Sequence, residues 1–126
     1  MNIKALRQEI DKLDRELVKL LNRRAKFSLA VGRLKQKDGL PLFILKREQE
    51  IARNVCRANR GPLPNHALKH LYEQLLQHTR AMVREALRAE RRNANAGLKA
   101  GAMRAGRGGK NAGLKAGATG ARKRKR

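Results

Sequence analysis

The feature that most constrains the fold of this chain is an uninterrupted run of helix-compatible sequence near its start. From Ile3 to about Gln36 there is no Pro, and Gly occurs only at Gly32. Two series of residues recur every seven positions, and all of their members but Arg24 are apolar. They are Ile3, Ile10, Leu17, Arg24 and Val31, and beside them Leu6, Leu13, Leu20, Phe27 and Leu34. Because side chains at that spacing form one stripe along a helix, the sequence predicts a single long first helix.

Gly and Pro divide the rest of the patterned sequence into two further helices. Residues 37–41 hold a Gly and a Pro that end the first helix, since Gly tolerates a left-handed C-terminus and Pro blocks continuation. A second helix is predicted over 42–59, and the Gly and Pro residues of 61–64 end it. Asn65, a good N-cap, begins a third helix that continues to about Arg92. The predicted fold is all-α with three helices.

The length of the first helix predicts a dimer. Roughly 34 residues at about 1.5 Å each give about 50 Å, which exceeds a compact domain of this size. The apolar stripe would stay partly exposed in a monomer. We therefore expect an intertwined homodimer with antiparallel long helices, and a plain coiled coil is the alternative.

Charge divides the chain into two regions. The net charge is +22, from 32 Lys and Arg against 10 Asp and Glu. Residues 1–92 hold all the acidic residues and are predicted to form the helical domain. Residues 93–126 hold 10 basic and no acidic residues, contain the sequence NAGLKAGA twice, and lack apolar periodicity. This composition predicts a disordered tail with non-specific affinity for nucleic acid, and a merely solvated extension is an equal alternative.

Cationic side chains occupy positions that should face the interior. Arg24 stands in an apolar series, where a buried charge needs a partner. Lys35 follows eleven residues later, close to three helical turns, so the two share a face. Arg47 and Glu48 lie beside the apolar face of the second helix, and Arg7 could come from the other chain. In so basic a protein, a solvated surface is the ordinary interpretation of Arg7 or Lys35 alone, and Glu48 could simply neutralise an arginine.

Three ordered motifs resemble the all-helical chorismate mutase family. ALRQEIDKLDRELVKLLNRRAKFSLAVGRLK is similar to its first helix, LPLFILKREQEI to the start of its second, and LYEQLLQHTRAM to its third. The resemblance covers roughly residues 3–87. It implies an enzyme of aromatic amino acid biosynthesis, in the shikimate pathway, that rearranges chorismate to prephenate without a cofactor.

The resemblance also implies roles for individual residues. Arg7 matches the arginine contributed across the dimer, and Arg24 and Arg47 match the carboxylate-binding arginines. Lys35 matches the lysine that contacts the ether oxygen of the breaking bond, and Glu48 matches the carboxylate that binds the substrate hydroxyl. Lys35, Arg24 and Glu48 are therefore the expected catalytic residues, because positioning and charge stabilisation suffice for a pericyclic reaction.

Three of the expected substrate-binding positions differ from the family pattern. Thr79 replaces a serine conservatively. Val83 stands where a Gln or Glu commonly contacts the ether oxygen, and valine cannot donate that hydrogen bond. Ile44 replaces a common aspartate, a milder change if the backbone amide makes the contact. These differences keep two alternatives open: an isochorismate pyruvate lyase of the same fold, and a weakened mutase-like protein that binds nucleic acid through its tail.

Metal and thiol chemistry are weakly indicated. His66 and His70 have i,i+4 spacing but no HExxH glutamate, so a solvated helix face is the better interpretation of these and of His78. Cys56, the single cysteine, is expected to be a packing residue in a reducing compartment. The start of the chain lacks the apolar stretch of a signal peptide or membrane span, and we expect a cytoplasmic protein with no membrane partner.

Overall fold

Three helices make up the fold, in a computed structural model that describes residues 2–112. They are α1 (Ile3–Lys37), α2 (Leu45–Ala58) and α3 (Asn65–Ala112), and no strand occurs among those residues. The all-α, three-helix prediction with a long first helix is confirmed. The chain divides into one compact unit from Met1 to Leu87 and a second that begins at Arg88.

Both ends of α1 are closed by local hydrogen bonds. The Asn2 side chain accepts from the Ala5 amide at 2.8 Å, which satisfies one of the free amides of the first turn. At the other end Gly39 has a φ of 70°, and its amide donates to the Gln36 carbonyl at 3.2 Å. The Leu40 amide donates to the Lys35 carbonyl at 2.8 Å. This is a Schellman motif, which explains why the helix stops here.

The second helix begins three residues later than the sequence predicts. Ile44 is its N-cap, in an extended conformation with φ −125° and ψ 122°, and it makes no side-chain cap. Residues 42–44 are therefore not helical. The Lys35 Nζ donates to the Leu42 carbonyl at 3.4 Å, so part of this connection is tied back to α1.

The third helix differs from its prediction at both ends. Asn65 is its first residue rather than its N-cap, because the Pro64 carbonyl accepts the amides of Ala67 and Leu68, each at 3.1 Å. The Asn65 Oδ1 instead accepts from the Asn59 Nδ2 at 2.7 Å.

At its far end α3 continues to Ala112, twenty residues beyond the predicted end at Arg92. The Ala, Lys and Arg residues of 93–112 favour a helix, whereas its five Gly residues oppose one, so propensity alone does not account for the extension. The predicted disordered tail therefore begins with helical residues 93–112, and its remainder, 113–126, lies outside the described residues. A separate domain status for 1–92 and 93–126 stays a prediction.

The core is small and centres on the crossing of α1 and α3. Val83 and Leu87 are each 1% exposed, and Gly32 is buried beneath them. A Cβ on Gly32 would lie 2.7 Å from the Val83 Cγ1, closer than packed carbon atoms come. The absence of a side chain at residue 32 therefore lets the two helices approach.

The apolar stripe of α1 is exposed in the single chain. Leu13 is 66% exposed and Phe27 67%, and the other large apolar residues of both seven-residue series are also exposed. Such a contiguous apolar surface is typical of an interface between proteins. None of the helices in the described part of the chain has the length and apolar character needed to cross a membrane.

Candidate active site

A cavity of about 310 Å³ lies between the three helices of the first unit. Four cationic side chains and one carboxylate line it: Arg24, Lys35, Arg47, Arg80 and Glu48. The formal charge of this set is four minus one, or +3. The remaining wall is largely apolar. A cavity of this kind fits a small anion that also carries an apolar ring or chain.

The long first helix supplies two of the cations on one face, as their eleven-residue spacing predicts. Arg24 and Lys35 are both half-buried, and Ser28 lies between them on the same wall. The Arg24 guanidinium carbon lies 5.8 Å from the centre of the Tyr72 ring on α3, within the range of a cation–π contact. Lys35 is oriented by its bond to the Leu42 carbonyl. Both cations thus have a supporting contact that leaves them at the cavity.

Arg47 lines the cavity from the first turn of α2, but its guanidinium also pairs with an exposed carboxylate, that of Glu50. Its Nη1 lies 2.8 Å from the Glu50 Oε1, and the two side chains are 60% and 53% exposed. The hydrogen bond and the charge of Arg47 lower the pKa of Glu50 below its usual 4.5. A ligand carboxylate would therefore compete with Glu50 for this guanidinium. Ile44, at the N-cap of α2, lines the same wall and is 44% exposed.

Glu48 forms an ion pair with Arg80 of α3 inside the cavity wall. The two side chains are only 26% and 28% exposed, so solvent screens the pair less than it screens Arg47 and Glu50. Glu48 is thus paired with an arginine, as its ordinary interpretation expects. Its partner is an arginine that the sequence analysis did not single out.

The two candidate residues of α3 have different surroundings. The Thr79 Oγ1 donates to the Leu75 carbonyl at 2.8 Å, which leaves its lone pairs free to accept a hydrogen bond from a ligand. Val83 lines the cavity but is 1% exposed, because it packs against Gly32. Position 83 is thus both a wall of the cavity and part of the core.

Arg7 is the one predicted site residue that the single chain leaves outside the cavity. It is exposed and precedes Arg24 by 17 residues on the same helix. That spacing corresponds to about 25 Å along the axis, so its own cavity is out of reach. Among residues 2–112 no three His, Cys, Asp or Glu side chains gather in a way that could hold a metal ion.

The family model described as chorismate mutase type II matches residues 6–84, well over half of the chain. The chain belongs to the chorismate mutase type II family. The matched residues contain every residue that lines the cavity and, apart from the first residue of the first motif, all three of the helical motifs that carried the resemblance.

Relatives and solved structures with chorismate mutase names share this domain. A bifunctional chorismate mutase/prephenate dehydratase from Aquifex aeolicus is 40% identical over 78 residues, which is 59% of this chain and 22% of that protein. One from Neisseria gonorrhoeae is 32% identical over 62% of this chain and 21% of its own length. Chorismate mutase (Form II) from Thermus thermophilus is 32% identical with a TM-score of 0.64, over 65% of this chain and 93% of that one.

The chorismate mutase domain is therefore only part of some relatives. This chain spans about a fifth of the length of these two curated relatives. It covers nearly all of the Thermus chain.

Sequence reasoning missed two residues that support this cavity. Arg80 directly follows Thr79, so the helix places it at the edge of the wall that the third motif already identified. Tyr72 lies two helical turns before Thr79 and carries the ring that Arg24 contacts. Both could have been found by asking which residues of the third helix could pair with Arg24 and Glu48.

Proposed function

We propose that this protein is an enzyme that rearranges chorismate to prephenate. The observation that carries the proposal is the cavity of formal charge +3 within a chorismate mutase-type fold. Chorismate carries two carboxylates, so binding would reduce the formal charge of the site from +3 to +1. Arginine holds such groups well because its planar fork can donate two parallel hydrogen bonds to one carboxylate.

The proposed mechanism uses position and charge alone. Arg24 and Arg47 hold the two carboxylates so that the ends of the substrate which will bond are close together. The ether C–O bond breaks while a C–C bond forms, and negative charge develops on the ether oxygen. Lys35 stabilises that charge, and Glu48 accepts a hydrogen bond from the substrate hydroxyl. The reaction needs no nucleophile, proton donor or cofactor.

Val83 makes Lys35 more important in this proposal. Where a Gln or Glu side chain would contact the ether oxygen, the cavity has an apolar wall. The charge that develops on that oxygen is then met chiefly by the Lys35 ammonium. We expect a working enzyme with less transition-state stabilisation than one that has both contacts.

The complete site is proposed to need two chains. Arg7 is too far from its own cavity, whereas an antiparallel partner helix would bring a second Arg7 to it. The exposed stripe of α1 supports such a dimer, because pairing would remove a long apolar surface from water. The protein is proposed to serve aromatic amino acid biosynthesis in the cytoplasm, where the lone cysteine would stay reduced.

A direct assay tests the proposal. Purified protein is incubated with chorismate, and formation of prephenate is followed beside Arg24→Ala and Val83→Gln. We expect wild-type turnover, near loss of turnover in Arg24→Ala, and a higher kcat in Val83→Gln because its amide can donate to the ether oxygen. Wild type that leaves chorismate unchanged at every protein concentration would contradict the proposal.

A second assay distinguishes the lyase alternative from the mutase: the same protein is incubated with isochorismate. Val83 is the observation that favours it, because the site lacks a polar contact expected for the mutase reaction. Release of pyruvate from isochorismate, without prephenate formation from chorismate, would support the lyase and reject the mutase. Both substrates are dicarboxylates, so the cations of the cavity suit either, and the match to the chorismate mutase type II family makes the mutase the better-supported activity.

A further inference from the structure

Residues 42–44 form one wall of the cavity, and we call them the strap. They lie between the turn that ends α1 and the first turn of α2, and all three line the cavity. Leu42 and Phe43 are half-buried, whereas residues 38–41 before them are exposed. Because Leu42 and Phe43 belong to neither helix, their position depends on tertiary contacts.

Leu42 attaches the strap to α1. Its carbonyl accepts from the Lys35 Nζ at 3.4 Å, which is longer than most hydrogen bonds of this kind. Its Cδ2 would lie 4.0 Å from a Cβ on Gly32, so the side chain packs beside the crossing of α1 and α3. A long hydrogen bond is lost with a small displacement of the carbonyl. The orientation of the Lys35 ammonium therefore depends on where the strap lies, and its remaining N–H donors can serve a ligand.

Phe43 attaches the strap to α3. The guanidinium carbon of Arg84 lies 5.0 Å from the centre of the Phe43 ring, a shorter distance than the 5.8 Å between Arg24 and Tyr72. Phe43 lines the cavity, whereas Arg84 is exposed and does not. The guanidinium thus contacts the ring from outside the cavity. The negative face of an aromatic ring attracts a cation, and the planar guanidinium stacks well on it.

The start of α2 has a separate attachment to α3. Glu48, in the first turn of α2, pairs with Arg80, which lies one turn before Arg84 on α3. Loss of the Arg84 contact should therefore leave Glu48 in place and displace the strap. The consequence is expected at Lys35, which stabilises the transition state in the proposed mechanism, and not at the arginines that hold the substrate carboxylates.

We propose that Arg84 is a positioning residue of this cavity. Through the Phe43 ring it holds the strap against α3, and through the Leu42 carbonyl the strap orients the Lys35 ammonium. Arg84 acts through the strap and does not itself contact the substrate. The attachment of the strap is a property of the fold, whereas its effect on turnover rests on the proposed mutase function.

The first measurement needs no activity. Chymotrypsin cleaves after large apolar residues, and cleavage after Phe43 requires the strap to leave the cavity wall. When opening is fast, the cleavage rate follows the population of the open form. Mass spectrometry of the 1–43 fragment gives this rate for the full chain and for Arg84→Gln, with Arg84→Lys as the variant that keeps the cation. Arg53→Gln, which removes an exposed arginine of α2 outside the cavity, is the matched control for lost charge.

We expect Arg84→Gln to be cleaved about two- to fivefold faster than wild type, which is the range of an exposed cation–π contact. Arg84→Lys and Arg53→Gln should be cleaved at nearly the wild-type rate. Equal cleavage of Arg84→Gln and wild type would overturn the attachment of the strap, whatever the activity of the protein.

Steady-state kinetics with chorismate tests the effect on Lys35. The kcat of Arg84→Gln should fall by the same factor with KM unchanged, because Arg24 and Arg47 still hold the carboxylates, and Arg84→Lys should restore it. Phe43→Leu removes the ring, so adding Arg84→Gln to it should cause no further loss of kcat.

Faster cleavage with an unchanged kcat would overturn the positioning role, as would an equal fall in kcat when Arg84→Gln is added to Phe43→Leu. Wild type that leaves chorismate unchanged would instead contradict the proposed function, and the effect on turnover would fail with it. The cleavage comparison would still decide whether Arg84 holds the strap.

Discussion

Arg80 on α3 and Glu48 on α2 form an ion pair across the wall of the cavity, and both side chains are about three-quarters buried. The pair joins two helices at the point where the proposed substrate hydroxyl would bind. The Arg80 guanidinium holds the Glu48 carboxylate in one orientation and adds a charge to the cavity. Arg80 is therefore expected to position Glu48 for the reaction.

Replacing this arginine tests that role. Arg80→Gln should lower kcat/KM for chorismate about tenfold, since a partly buried charged hydrogen bond contributes about 1.5 kcal/mol. Arg80→Lys should recover part of the loss because it keeps the charge. Steady-state kinetics measures both, with Arg53→Gln on an exposed face of α2 as the control. An Arg80→Gln enzyme as active as wild type would remove Arg80 from the mechanism.

Glu50 is expected to compete with the proposed substrate for Arg47, so its removal should strengthen binding. In Glu50→Gln the guanidinium is free to turn toward the cavity, and KM should fall by up to about fivefold, the range of an exposed ion pair. Glu73→Gln, which removes another exposed i,i+3 carboxylate on α3, is the matched control. A rise in KM would show that Glu50 holds Arg47 in its binding position.

The same pair predicts a pH dependence of stability. Because Arg47 lowers the pKa of Glu50, the pair stabilises the folded chain above the ordinary value of 4.5. This stabilisation is lost as pH falls through the lowered pKa of the folded state. Thermal unfolding of wild type and Glu50→Gln should therefore differ at pH 7 and converge in strong acid. A difference that grows with acidity would contradict the assignment.

Gly32 allows the contact between α1 and α3, so a methyl group there should destabilise the fold. Gly32→Ala places a Cβ 2.7 Å from the Val83 Cγ1, and overpacking of this kind costs about 1–3 kcal/mol. Urea denaturation measures the loss, and Val83→Ala should rescue part of it in the double variant. Gly97→Ala is the control, because the open space around it predicts no loss of stability.

Hybrid dimers test whether Arg7 completes the neighbouring site. Arg7→Ala and Arg24→Ala dimers should each be nearly inactive. When the two are unfolded together and refolded, half of the dimers are hybrids with one intact site of two, which gives about a quarter of wild-type activity. An inactive mixture would show that Arg7 and Arg24 act within one chain.

Leu13→Glu, in the exposed stripe of α1, should yield monomers by light scattering.

Helical periodicity was sufficient to predict the fold and to bring most of the site together. The eleven-residue spacing of Arg24 and Lys35 places them on one face whatever the rest of the chain does. The start of α2 was mispredicted because Ile44 has helical spacing to Ile51, and no Gly or Pro separates Leu42 from it. A tertiary contact, the bond from Lys35 to the Leu42 carbonyl, holds part of that connection outside the helix.

The partners of the charged residues could not be predicted from spacing. Glu48 has no cation three or four residues away on its own helix, and only the packing of α2 against α3 brings Arg80 to it. Arg47 was expected to point at a ligand, but its guanidinium pairs with Glu50, which lies one turn further along the same helix. The double role of Val83 likewise depends on how closely Gly32 lets the helices approach.

Lys35 is hydrogen-bonded to the connection after α1 through two different groups. Its carbonyl accepts from the Leu40 amide, and its Nζ donates to the Leu42 carbonyl. Surface connections usually tolerate added residues. An insertion between positions 37 and 42 would separate these anchoring points, so this short connection should resist changes in length even though most of its residues face solvent.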